Sequence, residues 1–109
     1  MNSRDQALTI GELALKQHPD KIPVVIYYAN TNSGYICQKL LVDNTYLIKN
    51  LASVTRKKIK SNYDEMLLFS VNNQILDSCM LISTLYCKYK NPTDGCLHLK
   101  ILKIKSLQK

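Results

Sequence analysis

The chain has 109 residues, 46% of them hydrophobic and 21% charged. That length supports one small domain with one core, which excludes a multidomain machine, and the composition excludes a disordered chain or a fibrous repeat. No apolar run approaches the roughly 18 residues of a membrane span, and residues Met1 to Gly11 carry acids and amides where a signal peptide has its apolar stretch, so the cytosol is the expected compartment.

Fifteen Lys and Arg against eight Asp and Glu give a net charge of +7. All but Arg4 and Arg56 of the basic residues are lysines. Lysines are solvated point charges suited to acidic peptides, phosphates or anionic membranes, whereas sequence readout of DNA leans on bidentate arginine. The four cysteines, Cys37, Cys79, Cys87 and Cys96, form no CxxC pair and have no histidine at zinc-ligand spacing. Free thiols and no metal are the expectation.

In chain order, residues Ser3 to Gln17 hold Ala7, Leu8, Ile10, Leu13, Ala14 and Leu15 at an irregular helical spacing that ends before the turn at His18-Pro19-Asp20. Ile22 to Tyr28 is β-branched and aromatic, with Pro23 near its start, and reads as a strand. Asn-Thr-Asn-Ser-Gly within Ala29 to Gly34 is turn chemistry, and Tyr35 to Val42 returns as a second strand, making a hairpin. Asn44 or Thr45 is placed to cap a second helix, whose Ile48, Leu51, Ala52, Thr55 and Ile59 form one stripe. Met66 to Val71 reads as a strand ending at Asn72-Asn73, and Ser78 is placed to cap a short helix through Met80, Leu81, Thr84 and Leu85. After the Asn91 to Gly95 turn, Leu97, Leu99 and Ile101 alternate with Cys96, His98 and Lys100, the pattern of a strand with one buried face. This order predicts an α+β fold: a ubiquitin-like β-grasp with an additional N-terminal helix. Residues 1–20 form the helical extension, 21–105 the ubiquitin-like domain and 106–109 a short basic tail.

Gln17-His18-Pro19-Asp20-Lys21-Ile22-Pro23-Val24-Val25, then Lys39-Leu40-Leu41-Val42, Arg56-Lys57-Lys58-Ile59, Val71-Asn72-Asn73, Leu85-Tyr86 and Asp94-Gly95 resemble the GABARAP and microtubule-associated light-chain-three family of autophagy ubiquitin-like modifiers. The resemblance runs from about Arg4 to Ile101. It implies a noncatalytic protein, without cofactor, that binds autophagy receptor or adaptor peptides carrying an aromatic-x-x-aliphatic motif. The peptide would add to the sheet edge at Lys39-Leu40-Leu41-Val42. The resemblance lines a first pocket with Ala14, Pro23, Val25, Lys39, Leu41 and Cys96, and a second with Leu40, Val42, Ile48, Leu51 and Lys58. Lys21, Lys39 and Lys58 would attract the acidic residues that flank the motif. Conjugation-machinery proteins are further implied partners, and the autophagosome or vesicle membrane a place of action.

The chain departs from the family in several places. Gln108 stands where the family has its conjugating glycine, so lipid conjugation is not expected. Cys96 replaces a large aromatic and Ala14 a bulkier aliphatic, changing the first pocket, Asp43 replaces a proline, and most of the family's first short helix is missing. Without conjugation, Lys100, Lys103, Lys105 and Lys109 offer weak contact with an anionic membrane, or solubility alone. A second route is noncovalent docking on a partner protein, in the manner of autophagy-related twelve.

Two other function classes have weaker support in the residues. Lys49, Arg56, Lys57, Lys58 and Lys60 on one helix, with Tyr63 nearby, would be the footprint of a nucleic-acid binder, but interleaved stacking aromatics are missing. The same cations favour the negative end of the helix dipole. An enzyme would use Cys96 and His98 on one strand face, yet no third group to orient them is evident, and His98 reads as an exposed strand residue. Asp64 and Glu65 are adjacent, which on an extended strand points them to opposite sides. Gly11, Gly34 and Gly95, the only glycines, make no phosphate loop.

Overall fold

The computed structural model describes residues 8–30, 34–59 and 65–105. Its elements are α1 (Ile10–Gln17), β1 (Lys21–Asn30), β2 (Gly34–Asp43), α2 (Ile48–Ile59), β3 (Glu65–Val71), β4 (Gln74–Ile75), α3 (Ile82–Tyr89) and β5 (Leu97–Lys105). The strands form one sheet in the order β2-β1-β5-β3-β4. β1 and β2 are an antiparallel hairpin with Pro23 opposite Leu41 and Val25 opposite Lys39, while β1 and β5 run parallel at the centre of the sheet. A mixed sheet with helices and a leading helix is the predicted β-grasp architecture.

The strands separate their two faces cleanly because side chains alternate along each of them. Ile22, Val24 and Ile26 of β1, Leu97, Leu99 and Ile101 of β5, and Leu67, Phe69 and Val71 of β3 enter one core. α2 closes it with Ile48 and Leu51, and α3 with Ile82, Leu85 and Tyr86. The opposite face carries Pro23, Val25, Tyr27, Lys39, Leu41 and His98, and α1 packs across part of it. Each buried core leucine or isoleucine stabilises the fold by about 1.5–3 kcal/mol relative to exposure.

Several boundaries differ from the sequence expectation for identifiable reasons. α1 begins at Ile10, where Thr9 accepts from the Glu12 amide and the Glu12 carboxylate accepts from the Thr9 amide, a reciprocal capping box. Neither Asn44 nor Thr45 caps α2: the Asp43 carboxylate accepts from both the amide and the hydroxyl of Thr45. The helix starts instead at Ile48, with Asn50 Oδ1 accepting from the Leu47 amide. Ser78 does not cap α3 either. Asp77 takes the local turn by accepting from the Cys79 amide, and Leu81 occupies the cap position with no side-chain bond. β4 leaves no sequence signal because two residues are too few to show a period. The expectations for residues 1–7, including Arg4, for residues 31–33, for 60–64 with Lys60, Tyr63 and Asp64, and for 106–109 with Gln108 lie outside the described residues.

Candidate functional site

β2 is an edge strand, hydrogen-bonded only to β1 among the described residues. In an antiparallel pair every second residue turns its N–H and C=O away from its partner, so β2 presents unpaired backbone groups along its outer side. Concavities lie above and below that edge. The first, about 180 Å³, is walled by Ala14 of α1, Pro23 and Val25 of β1, Lys39 and Leu41 of β2, and Cys96. All six residues that the resemblance assigns to the first pocket therefore meet around one cavity. Their meeting follows from register, because the Pro23–Leu41 and Val25–Lys39 pairs put four of them side by side on the face that α1 covers. Ile10 completes the wall at the N-terminal end of α1, and 63% of it is exposed. Its apolar character also fits the spacing of the helix, so the sequence alone does not distinguish this second use.

The second concavity, about 380 Å³, lies on the other side of β2 against α2. Leu40, Val42 and Lys58, which the resemblance assigns to the second pocket, line it together with Lys21 and Lys39. Ile48 and Leu51 do not: both are buried in the main core, Leu51 completely. α2 is rotated so that Ile48, Leu51 and Thr55 face the sheet, and the residues it turns toward β2 are Val54 and Lys58, one helical turn apart. Tyr46, just before the helix, forms the remaining wall. Tyr46 and Val54 were not foreseen. The signal for Val54 was its i, i+4 spacing with Lys58 beside the buried stripe rather than within it, and Tyr46, which precedes the helix, carried no such signal.

Charge at this site is mostly positive. Lys21, Lys39 and Lys58 surround the second concavity, with Asp43 as the one carboxylate in its lining. Hydrogen bonds from the Thr45 hydroxyl and amide, helped by Lys21, hold the Asp43 carboxyl below the usual range, so it stays charged. Three lysines against one fixed anion leave a net attraction for acidic groups at the edge of β2.

The floor of the first cavity continues into a polar cluster that sequence reasoning missed. His98 is not a free surface residue: its Nε2 lies 2.6 Å from Asp94 Oδ2 and its Nδ1 2.7 Å from the Tyr27 hydroxyl. The tautomer that satisfies both bonds donates from Nε2 to the carboxylate and accepts at Nδ1 from tyrosine. Tyr27 also stacks on the imidazole, with ring centroids 5.6 Å apart. Asp94 is thus the orienting group that the spacing of Cys96 and His98 did not reveal. It does not make Cys96 a nucleophile. Both imidazole nitrogens are engaged, the Cys96 thiol donates to the Asp94 carbonyl at 3.7 Å, and burial, with the Asp94 charge, pushes that thiol up from its usual range. Burial alone would raise the Asp94 carboxyl, but the Cys96 amide and His98 together hold it below the ordinary range. This cluster ties β1, β5 and the turn before β5 together, and so braces the cavity.

Elsewhere, the cations of α2 stand as the dipole argument placed them, with Arg56, Lys57 and Lys58 in its last turn. Cys37, Cys79, Cys87 and Cys96 are all free thiols. No group of metal-ligating side chains occurs among the described residues, and no described helix is long and apolar enough to cross a membrane.

The family described as "Autophagy protein Atg8 ubiquitin like" matches residues 8–103. Among solved structures, Trypanosoma brucei ATG8 superposes with a TM-score of 0.77 at 23% identity, over 99% of both chains. Plasmodium falciparum Atg8, solved in complex with a Plasmodium falciparum Atg3 peptide, superposes with a TM-score of 0.69 at 25% identity, over 98% of this chain and 100% of that one. No curated protein matches closely enough to be reported as a relative. The fold, the strand order and a family match spanning nearly every described element agree, and the chain belongs to the Atg8 family of ubiquitin-like autophagy proteins.

Proposed function

We propose that this protein is a noncatalytic autophagy adaptor that captures acidic-aromatic peptides by strand addition at β2, and that it is not itself joined to lipid through Gln108. The observation that carries the reading is the open β2 edge with an apolar cavity on one side and a lysine-rimmed concavity on the other. An extended peptide would pair with the β2 backbone while side chains two positions beyond each other's neighbours, as in aromatic-x-x-aliphatic, reach into the two concavities. Fully enclosing each apolar anchor contributes about 1.5–3 kcal/mol, and backbone pairing fixes the register. Lys21, Lys39 and Lys58 mainly speed encounter and orient the acidic flank.

The complex of the Plasmodium relative with an Atg3 peptide supports peptides of other autophagy proteins, the conjugation machinery among them in our reading, as occupants alongside those of receptors. Within the cell the reading puts the protein in the cytoplasm, at autophagosome or vesicle surfaces, through such partners. The noncovalent docking of an autophagy-related-twelve-like module would use another surface and leave β2 empty.

The test is titration of a fluorescent acidic-aromatic-x-x-aliphatic peptide into the protein and into its Lys39→Glu and Leu41→Ala variants. Saturable binding, weakened about tenfold or more in each variant, supports the groove, since a tenfold loss corresponds to about 1.4 kcal/mol. No binding at hundreds of micromolar overturns it.

A further inference from the structure

A further concavity lies far from β2. It is an open groove of about 430 Å³ between β4, at the opposite edge of the sheet, and α3. Leu76 and Leu85 form a buried floor, while Ile75, Met80 and Leu81 stand along the walls with 57%, 41% and 43% of their surface exposed. Three exposed large apolar side chains gathered around one concavity, and not scattered singly, make an apolar patch suited to contact with a partner. The groove is held ready: the Tyr89 hydroxyl donates to Gln74 Oε1 at 3.2 Å, tying the end of α3 to β4. At Lys88 and Tyr89 it passes into a second concavity of about 330 Å³, which is polar and adds Lys90, Asn72, Asn91 and His98.

We propose that the β4–α3 groove is a second docking surface, for an extended partner segment in which a run of aliphatic side chains adjoins a run of acidic ones. Charge decides the occupant and which end of the groove its acidic part takes. α3 contains no acidic residue, and Lys88 and Lys90 mark one end of the surface, their ammonium groups 5.3 Å and 5.5 Å from the ring centres of Tyr89 and Tyr86. The other end lies beside Asp77, whose carboxylate accepts from the Cys79 amide. Acidic groups are therefore drawn toward Lys88 and Lys90 and repelled from the Asp77 end, leaving the aliphatic side chains over Ile75, Met80 and Leu81. Methionine at the wall adapts to different aliphatic shapes. An amphiphile with an acyl chain fits less well, because the groove is open along its length and would leave one side of the chain in water. β4 adds unpaired edge backbone that a peptide, and not a lipid, can use.

The surface lies at the opposite sheet edge from β2, so both could be filled at once, and a test of one is independent of the other. The probe is a synthetic peptide of three leucines followed by three glutamates, titrated into the isotope-labelled full chain and followed by amide chemical shifts. Saturable shifts in β4 and α3, with β2 unmoved, are the expected result. Ile75→Glu and Lys88→Glu should each weaken binding at least fivefold, and Lys88→Glu should strengthen binding of the matched peptide with lysines in place of glutamates. Lys88 is an exposed surface side chain, so its charge reversal keeps the test decisive even should Ile75→Glu unfold the protein. Shifts confined to β2, no saturable shift, or binding indifferent to Lys88→Glu would each overturn the proposal. So would dodecyl phosphate moving the same amides where the peptide does not, which would assign the groove to an amphiphile.

Discussion

Gly11 and Gly95 meet backbone to backbone: the Gly11 amide donates to the Asp94 carbonyl at 2.7 Å, and a side chain on Gly11 would collide with the Gly95 carbonyl. Gly95 itself has φ +72°, a left-handed conformation that glycine adopts without strain. The Tyr86 hydroxyl donates to the Gly95 carbonyl at 2.7 Å from the other side. This contact is what seats α1 on the sheet and so gives the first cavity its Ile10 and Ala14 wall. Gly11→Ala should force α1 away, destabilise the protein by about 1–3 kcal/mol and weaken peptide capture at β2. A fall in the urea midpoint accompanied by unchanged peptide affinity would show that α1 does not shape the cavity.

Acid should loosen the molecule through three carboxylates. Glu12 is held below its ordinary range by the Thr9 amide and then the Thr9 hydroxyl, Asp43 by the Thr45 hydroxyl and amide, and Asp94 by bonds that outweigh its burial. A group whose folded pKa is depressed adds stability above its unfolded value, and that contribution disappears as the pH falls through the folded one. Stability should therefore hold near neutrality and drop once the pH passes below the usual carboxylate range of about 4. Urea midpoints measured from pH 6 down to pH 3 check this, and Asp94→Asn should flatten part of the slope.

Thiol reactivity should divide the cysteines. Cys37, Cys79 and Cys87 are exposed, whereas Cys96 is buried and its thiol is pushed up by burial and by the Asp94 charge. Mass spectrometry after brief alkylation at neutral pH should find Cys96 at least about tenfold slower than the other three. In Gly11→Ala, where α1 is displaced, Cys96 should become faster.

The second concavity separates binding from stability. Tyr46→Ala should weaken the aliphatic anchor of a bound peptide with a modest cost to the fold, because Tyr46 is only half-buried at the cavity wall. Leu51→Ala removes a fully buried core side chain and should cost about 2–5 kcal/mol. Calorimetric melting beside peptide titration distinguishes the two.

Thr55 offers a further check, since it is 99% buried in the sense that only 1% of its surface is exposed, and its hydroxyl has no partner among the described residues. Thr55→Val replaces that hydroxyl with a methyl of the same shape and should leave stability unchanged or raise it by about 1 kcal/mol. A loss of stability would mean that the hydroxyl is satisfied by water.

Much of the architecture is written in local patterns. The β-branched run from Ile22 to Tyr28 and the alternation of Leu97, Leu99 and Ile101 both report a pleated strand with one buried face, and the Ile48, Leu51, Thr55 stripe reports a helix lying on it. The lining of the first cavity was implied by the family resemblance and not by periodicity, and hairpin register accounts for four of its six residues. Once β1 and β2 form a hairpin, the pairing of Pro23 with Leu41 and of Val25 with Lys39 leaves little freedom over which side chains adjoin.

What depended on rotation and long-range approach was not legible. Periodicity identifies the apolar stripe of α2 but not which flank turns toward β2, so Ile48 and Leu51 were expected at a wall that Tyr46 and Val54 supply. His98 reaches Tyr27 only because a parallel crossover brings β5 beside β1 across some seventy residues of chain, and Asp94 reaches His98 through the conformation of the turn that leads into β5. Sequence by itself determined which side chains share a face, since alternation and helical repeat are local properties of the backbone. Tertiary structure alone decided which faces meet and what stays open between them, because the angle of a helix on a sheet is settled by packing of the whole core.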